Sequence, residues 1–170
     1  MKPSFFLYQQ REPNVWVERY GIEFEDLEVG QVFEHRPART FTLEDVIRDA
    51  RRSLDLSPQW ADLTYSQAIP VPETQVLAVT VAASTRTFGR VVANLGWTDV
   101  RCEPVWVGDT LWVESELLAL RPSNSRPDQG LLHLRTRACN QRGEWVLEYE
   151  RKLLIYRRGH GPYQEAGYGG

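Results

Sequence analysis

The longest apolar run in the chain covers residues 69–89, IPVPETQVLAVTVAASTRTFG. Pro70 and Pro72 open it and Gly89 closes it, the placement expected of the first turn and the end of a helix. Val76, Leu77, Val79, Thr80, Val81 and Ala83 leave no polar face, so the pattern predicts burial on most sides. The β-branched content favours a strand, but some sixteen residues without turn chemistry suit a helix better. After this run the period changes to two. Leu111, Val113, Ser115, Leu117 and Ala119 alternate with Trp112, Glu114, Glu116 and Leu118, the mark of a half-buried strand. Residues 91–101 alternate more loosely, and Val105–Gly108–Asp109 reads as a turn. Residues 131–139 and 145–156 read as strands joined by the hairpin signal Asn140-Gln141-Arg142-Gly143. Between them and the preceding strand lies a loop of turn formers, RPSNSRPDQG.

The first half is mixed. Residues 1–22 carry Phe5, Phe6, Tyr8, Trp16 and Tyr20 among polar residues and read as an irregular arm, packed on the domain or on a partner. A strand is expected over residues 31–36, interrupted by Pro37 and resuming over 38–41. Thr42 is placed to cap a helix, with Asp45 as its capping-box partner. That helix should run to about Leu54, with Val46, Ile47, Ala50 and Leu54 on one face, and Pro58 should end it. Residues 62–68 are a second short helix or a loop. Helices feeding a run of antiparallel strands define an α+β domain. The expected organisation is an arm over 1–22, one domain over 23–158 and a flexible tail over 159–170. One sheet on one helix leaves a face and two edges uncovered, which argues for a dimer.

Composition narrows the setting more than the function. The chain has 170 residues, 42% hydrophobic and 25% charged, with a formal charge of −3. That balance gives no electrostatic footprint for nucleic acid. Cys102 and Cys139 match neither a metal-ligand spacing nor a disulfide framework, so a cytoplasmic setting is expected, with no metal. Phe5, Phe6 and Leu7 are too short a run for a signal peptide, and no stretch is long enough for a membrane span.

Several stretches then acquire a common meaning. FEDLEVGQVFEHRPARTFTLED, the GDTL turn, SRPDQG and NQRGE resemble the MaoC-type hydratases of the hot-dog superfamily, closest to the branch of itaconyl-CoA and mesaconyl-CoA hydratase-like proteins. The resemblance covers residues 20–158. It implies a bent antiparallel sheet wrapped around one central helix, with single-domain members paired so that two sheets become continuous. It also implies a motif D-x-N-P-x-H or N-x-N-P-x-H, whose acid or amide and histidine hold a water. The start of the central helix polarises a thioester carbonyl. The matching stretch is Asp55-Leu56-Ser57-Pro58-Gln59-Trp60. Asp55 and Pro58 match; Ser57 replaces the asparagine and Trp60 the histidine.

The replacement changes the chemistry. Histidine accepts and returns a proton near neutral pH, whereas an indole N–H only donates a hydrogen bond. Losing one acid–base partner removes roughly 10²–10⁴ of rate. His35, at a strand end, His133, in a strand, and His160, in the tail, all lie outside the motif. Asp55 is therefore the candidate acid/base, its alternative being a solvated helix-end aspartate; in an apolar pocket its pKa would be raised. Trp60 either lines the site or fills the histidine's place against the core. Glu73 is a candidate second carboxylate or a partner of the helix dipole. Pro72 and Thr74 complete the substrate-binding end, where an anion at Glu73 would oppose oxyanion stabilisation. Lys152, Arg86, Arg90, Arg126, Arg157 and Arg158 are candidates for coenzyme A phosphates.

The expected function is a MaoC-like lyase acting on an α,β-unsaturated or β-hydroxy acyl thioester with a rebuilt site. The coenzyme A or acyl-carrier thioester is part of the substrate and no separate cofactor is implied. Two other readings stand beside it: a repurposed cyclase or isomerase of a biosynthetic pathway, and a non-catalytic subunit in a heteromer with a hot-dog homologue. A homodimer or higher homo-oligomer is the expected assembly.

Overall fold

The computed structural model describes residues 8–55, 57–62, 64 and 68–167. Strands β1 (Tyr8–Glu12) and β2 (Val15–Glu18) pair as a hairpin. A 3-10 turn (Phe24–Asp26) leads into β3 (Val32–Thr40), followed by α1 (Leu43–Ser53), α2 (Pro58–Ala61) and α3 (Glu73–Thr87). Then come β4 (Val91–Cys102), β5 (Thr110–Pro122), β6 (Gln129–Cys139), β7 (Trp145–Tyr156) and α4 (Pro162–Glu165). The main sheet is antiparallel, in the order β3-β5-β6-β7-β4, so β4 and β3 are its edges. This is the α+β arrangement of a sheet on a central helix.

Local signals placed most elements. Thr42 and Asp45 form the full capping box at the start of α1. Alternation in β5 holds through Leu111, Val113, Ser115 and Leu117, all buried. Four expectations are corrected. The arm over 1–22 contains the β1–β2 hairpin. Its first seven residues, Phe5 and Phe6 among them, lie outside the described residues, as does most of the stretch 62–68. Pro37 does not interrupt β3, because the chain passes it at a register shift between His35 and Arg39. Pro58 does not end α1. Leu54 does, in the left-handed conformation at φ 59, which turns its side chain out to 81% exposure instead of onto the apolar face, and Pro58 starts α2. The described part of the tail is docked: Tyr163 stacks on Tyr20 at 5.1 Å and its hydroxyl donates to Gly89 O at 3.1 Å.

The central helix departs from its expected all-round burial. Val76, Thr80 and Ser84 are buried, but Thr74, Ala78, Ala82 and Arg86 form an exposed stripe four residues apart. The cause is placement. α3 packs on β3, β5 and β6, leaving its other side bare. The core divides in two. One cluster gathers Trp60, Val71, Val76, Leu147 and Tyr149; the other gathers Phe88, Leu117, Leu153 and Ile155. Among the polar residues buried under α3 are His35, Ser84, Ser115, Thr136 and Arg151.

Candidate active site

The stretch after α1 is built around one carboxylate. Leu54 turns the chain out of the helix in the left-handed conformation. Asp55 follows and closes an Asx turn: its Oδ1 accepts from Ser57 N at 3.1 Å and from Ser57 Oγ at 2.6 Å. Those bonds, the hydroxyl first, hold the Asp55 carboxyl below the usual aspartate range, with a further contribution from the Trp60 indole beside it and little opposition from burial. The raised pKa expected of an apolar pocket is thus corrected. Asp55 is an ionised, solvent-accessible carboxylate: it rests in the form that accepts a proton, and its lowered pKa makes it a weaker base than an ordinary aspartate. Oδ1 carries both Ser57 bonds, which leaves Oδ2 for a water or substrate.

Trp60 is buried, 8% exposed, and packs with Val46, Ala50, Val71 and Val76. Among the described residues its Nε1 makes no hydrogen bond of good geometry. A buried indole N–H without an acceptor is costly. The ring therefore does two things: its body fills core space and its N–H is left at the Asp55 carboxylate.

The start of α3 is fixed by separate contacts. Val71 N donates to Val105 O at 2.7 Å, and Pro70 bridges Trp106. Pro72 is the N-cap and offers no capping side chain; its carbonyl takes Gln75 N and Val76 N. The first-turn amides of Glu73 and Thr74 are thereby directed outward, as a helix N-terminus binds an anion or a developing oxyanion. Glu73 and Thr74 are exposed. Glu73 lies near Cys102, whose thiol is pushed up to about 11 by burial first and then by Glu73 and Glu103. Gln75, which the sequence reading passed over, braces this end by donating from Nε2 to Asp45 O of α1 at 3.0 Å.

Asp55, Ser57 and Trp60 are thus brought together, and Trp60 alone touches the cluster that contains Val71 and Val76 at the helix start. Among the described residues no hydrogen bond or ion pair joins Asp55 to Glu73 or Thr74. Of the candidate phosphate ligands, Arg90 is buried against Glu23 at 3.5 Å. Arg157 pairs with Glu25 at 2.9 Å, and Arg158 with Glu23 and Asp26. Arg86, Arg126 and Lys152 remain exposed. No group of three or more His, Cys, Asp or Glu among the described residues is arranged to hold a metal. No described helix is long and apolar enough to cross a membrane.

His133 stands 2.8 Å from Glu150 on the outer sheet face. His35, expected at a strand end, is instead buried within β3, with Nδ1 2.7 Å from Thr87 Oγ1 and Nε2 2.9 Å from Ser115 Oγ. The signal that finds it is phase: His35 shares the inward parity of Phe33.

Comparison with known proteins gives this geometry a family frame. Residues 14–167 match the family model described as mesaconyl-CoA hydratase. A mesaconyl-CoA hydratase of Cereibacter sphaeroides is 33% identical over 145 residues, 81% of this chain and 42% of that protein. The R-hydratase PhaJ1 of Pseudomonas aeruginosa superposes with a TM-score of 0.68 at 28% identity, over 82% of this chain and 88% of the other. A double-hotdog-fold protein of Mycobacterium tuberculosis superposes with a TM-score of 0.68 at 29% identity, over 83% of this chain and 46% of the other. The chain spans 42% and 41% of the curated relatives it matches, less than half of their length.

Proposed function

Because the chain belongs to the mesaconyl-CoA hydratase family of MaoC-like hot-dog proteins, we propose that it is a lyase of the hydratase/dehydratase type with a rebuilt active site. Its substrate is an α,β-unsaturated or β-hydroxy acyl thioester, with the coenzyme A or acyl carrier as part of the substrate and no further cofactor. The observation that carries this reading is Asp55, held as an anion by Ser57 with the Trp60 N–H beside it.

In the hydration direction Asp55 Oδ2 takes a proton from water as its oxygen bonds to the β-carbon. Electron density moves to the thioester oxygen, which the Glu73 and Thr74 amides stabilise. The same carboxyl returns its proton to the α-carbon, so atoms balance. Ser57 fixes the carboxylate, and the buried Trp60 N–H beside it steadies the negative charge. Pro72 leaves the helix start uncapped for the carbonyl, and Glu73 stands as a second carboxylate at the rim. With one proton carrier in place of two, turnover should run roughly 10²–10⁴ below that of an enzyme holding the full pair.

The test is direct. Crotonyl-, itaconyl- and mesaconyl-CoA are incubated with the purified chain, and loss of the conjugated thioester is followed spectroscopically. At least one should be hydrated, and Asp55→Asn should abolish that turnover. Unchanged activity in Asp55→Asn removes Asp55 from the assignment.

A second reading rests on the tryptophan in the histidine's position and on the chain's span of less than half its curated relatives. In it the chain shapes the pocket of a histidine-bearing hot-dog partner. Co-purification with such a partner, and no turnover alone, would select it. In either case the exposed α3 stripe and the β4 edge support association with a second hot-dog unit, a second copy of this chain being the first candidate.

A further inference from the structure

Arg151 projects from β7 into the core and is fully buried. Among the described residues it pairs with no carboxylate. Nη1 donates to Thr85 Oγ1 at 3.2 Å and Asn94 Oδ1 at 3.4 Å, and Nη2 donates to Ser84 Oγ at 3.0 Å. Nε has no acceptor. The other fully buried arginine, Arg90, has Glu23. Two residues along the same face of β7, Tyr149 is also fully buried, and among the described residues its hydroxyl has no partner. The two groups lie close enough for the phenol to bear on the guanidinium electrostatically.

A buried guanidinium costs several kcal/mol unless an opposite charge and full hydrogen bonding offset it. The neighbouring titratable group, His35, does not help, because Arg151 and burial both favour its neutral form. The negative end of α3 supplies part of a counter-charge. It does not supply an acceptor for Nε or for the phenol. Two buried donors lie two residues apart on one strand face, one of them on a guanidinium that no carboxylate among the described residues neutralises, and an anionic acceptor would satisfy both. Thr85, half-buried on α3, and Asn94, exposed on β4, mark the approach from solvent.

We propose that Arg151 Nε and the Tyr149 hydroxyl form a buried site for a small monoanion, a halide or a one-carbon carboxylate, separate from the acyl site. Reach separates the two. The helix rises about 16 Å from Glu73 to Ser84, at 1.5 Å per residue. A four-carbon acyl group held at the helix start spans roughly 5 Å and stops well short. The occupant is therefore a free ion, and its role is to neutralise the junction between the two core clusters.

The purified full chain is melted in sodium chloride, sodium formate and sodium gluconate at matched ionic strength, and crystals are grown in sodium bromide. Chloride and formate should raise the Tm saturably by a few degrees over gluconate, whose bulk excludes it. Tyr149→Phe, which keeps the packing, should weaken that response roughly tenfold in midpoint concentration; Arg151→Met should abolish it. The bromide anomalous peak should lie between Nε and the phenol oxygen. Identical melting of the wild type in all three salts overturns the site, as does an unchanged response in Tyr149→Phe. A bromide peak elsewhere, an adventitious ion only, does the same. None of these readouts depends on acyl-thioester turnover, so the proposal stands or falls apart from it.

Discussion

His35 concentrates what a single buried residue does to this fold. Both ring nitrogens contact hydroxyls, Thr87 at the end of α3 and Ser115 on β5, so one donates and the other accepts. The Phe88 ring stands edge-on at 6.2 Å, and the charge of Arg151 bears on the imidazole. Burial first, and Arg151 second, lower its pKa to about 4. The unfolded chain therefore takes up a proton near pH 6.5 that the folded chain refuses until about pH 4. Stability is complete above the unfolded value and is lost as pH falls through that window. Between pH 7 and pH 5 the loss from this group should be about 2 kcal/mol. Urea unfolding of wild type and His35→Gln at both pH values isolates it, because carboxylates contribute equally to both proteins. Equal pH slopes would contradict the assignment. The strand parity of His35 was readable in the sequence, but Pro37 masked it by suggesting that the strand broke there. The same holds for Arg151, a charge at an inward position whose meaning depends on what β4 and α3 bring beside it. Asp55 was legible through the family motif alone. Its lowered pKa was not, because the Asx turn with Ser57 is a matter of backbone geometry.

Elements divide by whether their signals are local. α1 is the local case. Thr42 Oγ1 accepts from Asp45 N at 3.2 Å and Asp45 Oδ2 accepts from Thr42 N at 3.0 Å, the reciprocal bonds that residue type and spacing predict. Thr42→Ala should cost about 1 kcal/mol in urea unfolding, and Thr42→Ser only a few tenths. A null effect for the alanine variant would mean that tertiary packing, not the cap, sets the start of α1. α3 is the non-local case. Its helical state followed from length, with Pro72 before it, but its exposed stripe did not follow from composition. Valine and alanine surround the helix, so no moment points to a solvent face. Which side is bare depends on the sheet strands beneath it, and those are set by pairing across the whole chain. The β1–β2 hairpin is hard to read for the opposite reason: four or five residues with one Pro-Asn turn give too short an alternation to stand out from an irregular arm.

Two bare surfaces bear on the assembly of the whole molecule. β4 is an edge strand, and Leu95 and Trp97 on it are 53% and 43% exposed. The exposed stripe of α3, Thr74, Ala78, Ala82 and Arg86, belongs to the helix side left uncovered by β3, β5 and β6. An unpaired edge is a template for pairing with another chain; Asp99, Arg101 and the register shift there guard one end of β4, while Leu95 and Trp97 leave its middle apolar. Pairing β4 with β4 of a second copy would satisfy its backbone, and small side chains at Ala78 and Ala82 would let a second helix approach closely. The sequence argued that a single helix could not cover this sheet; only the assembled strand order says which edge is left. Sedimentation of the chain at micromolar concentration should give a dimer, and Leu95→Glu combined with Trp97→Glu should give a folded monomer with unchanged far-ultraviolet dichroism. If the wild type sediments as a monomer, the second reading of function gains directly, because these surfaces then await a different hot-dog partner. If the double variant still dimerises, the contact lies elsewhere, and β3, the opposite edge, is the next place to look.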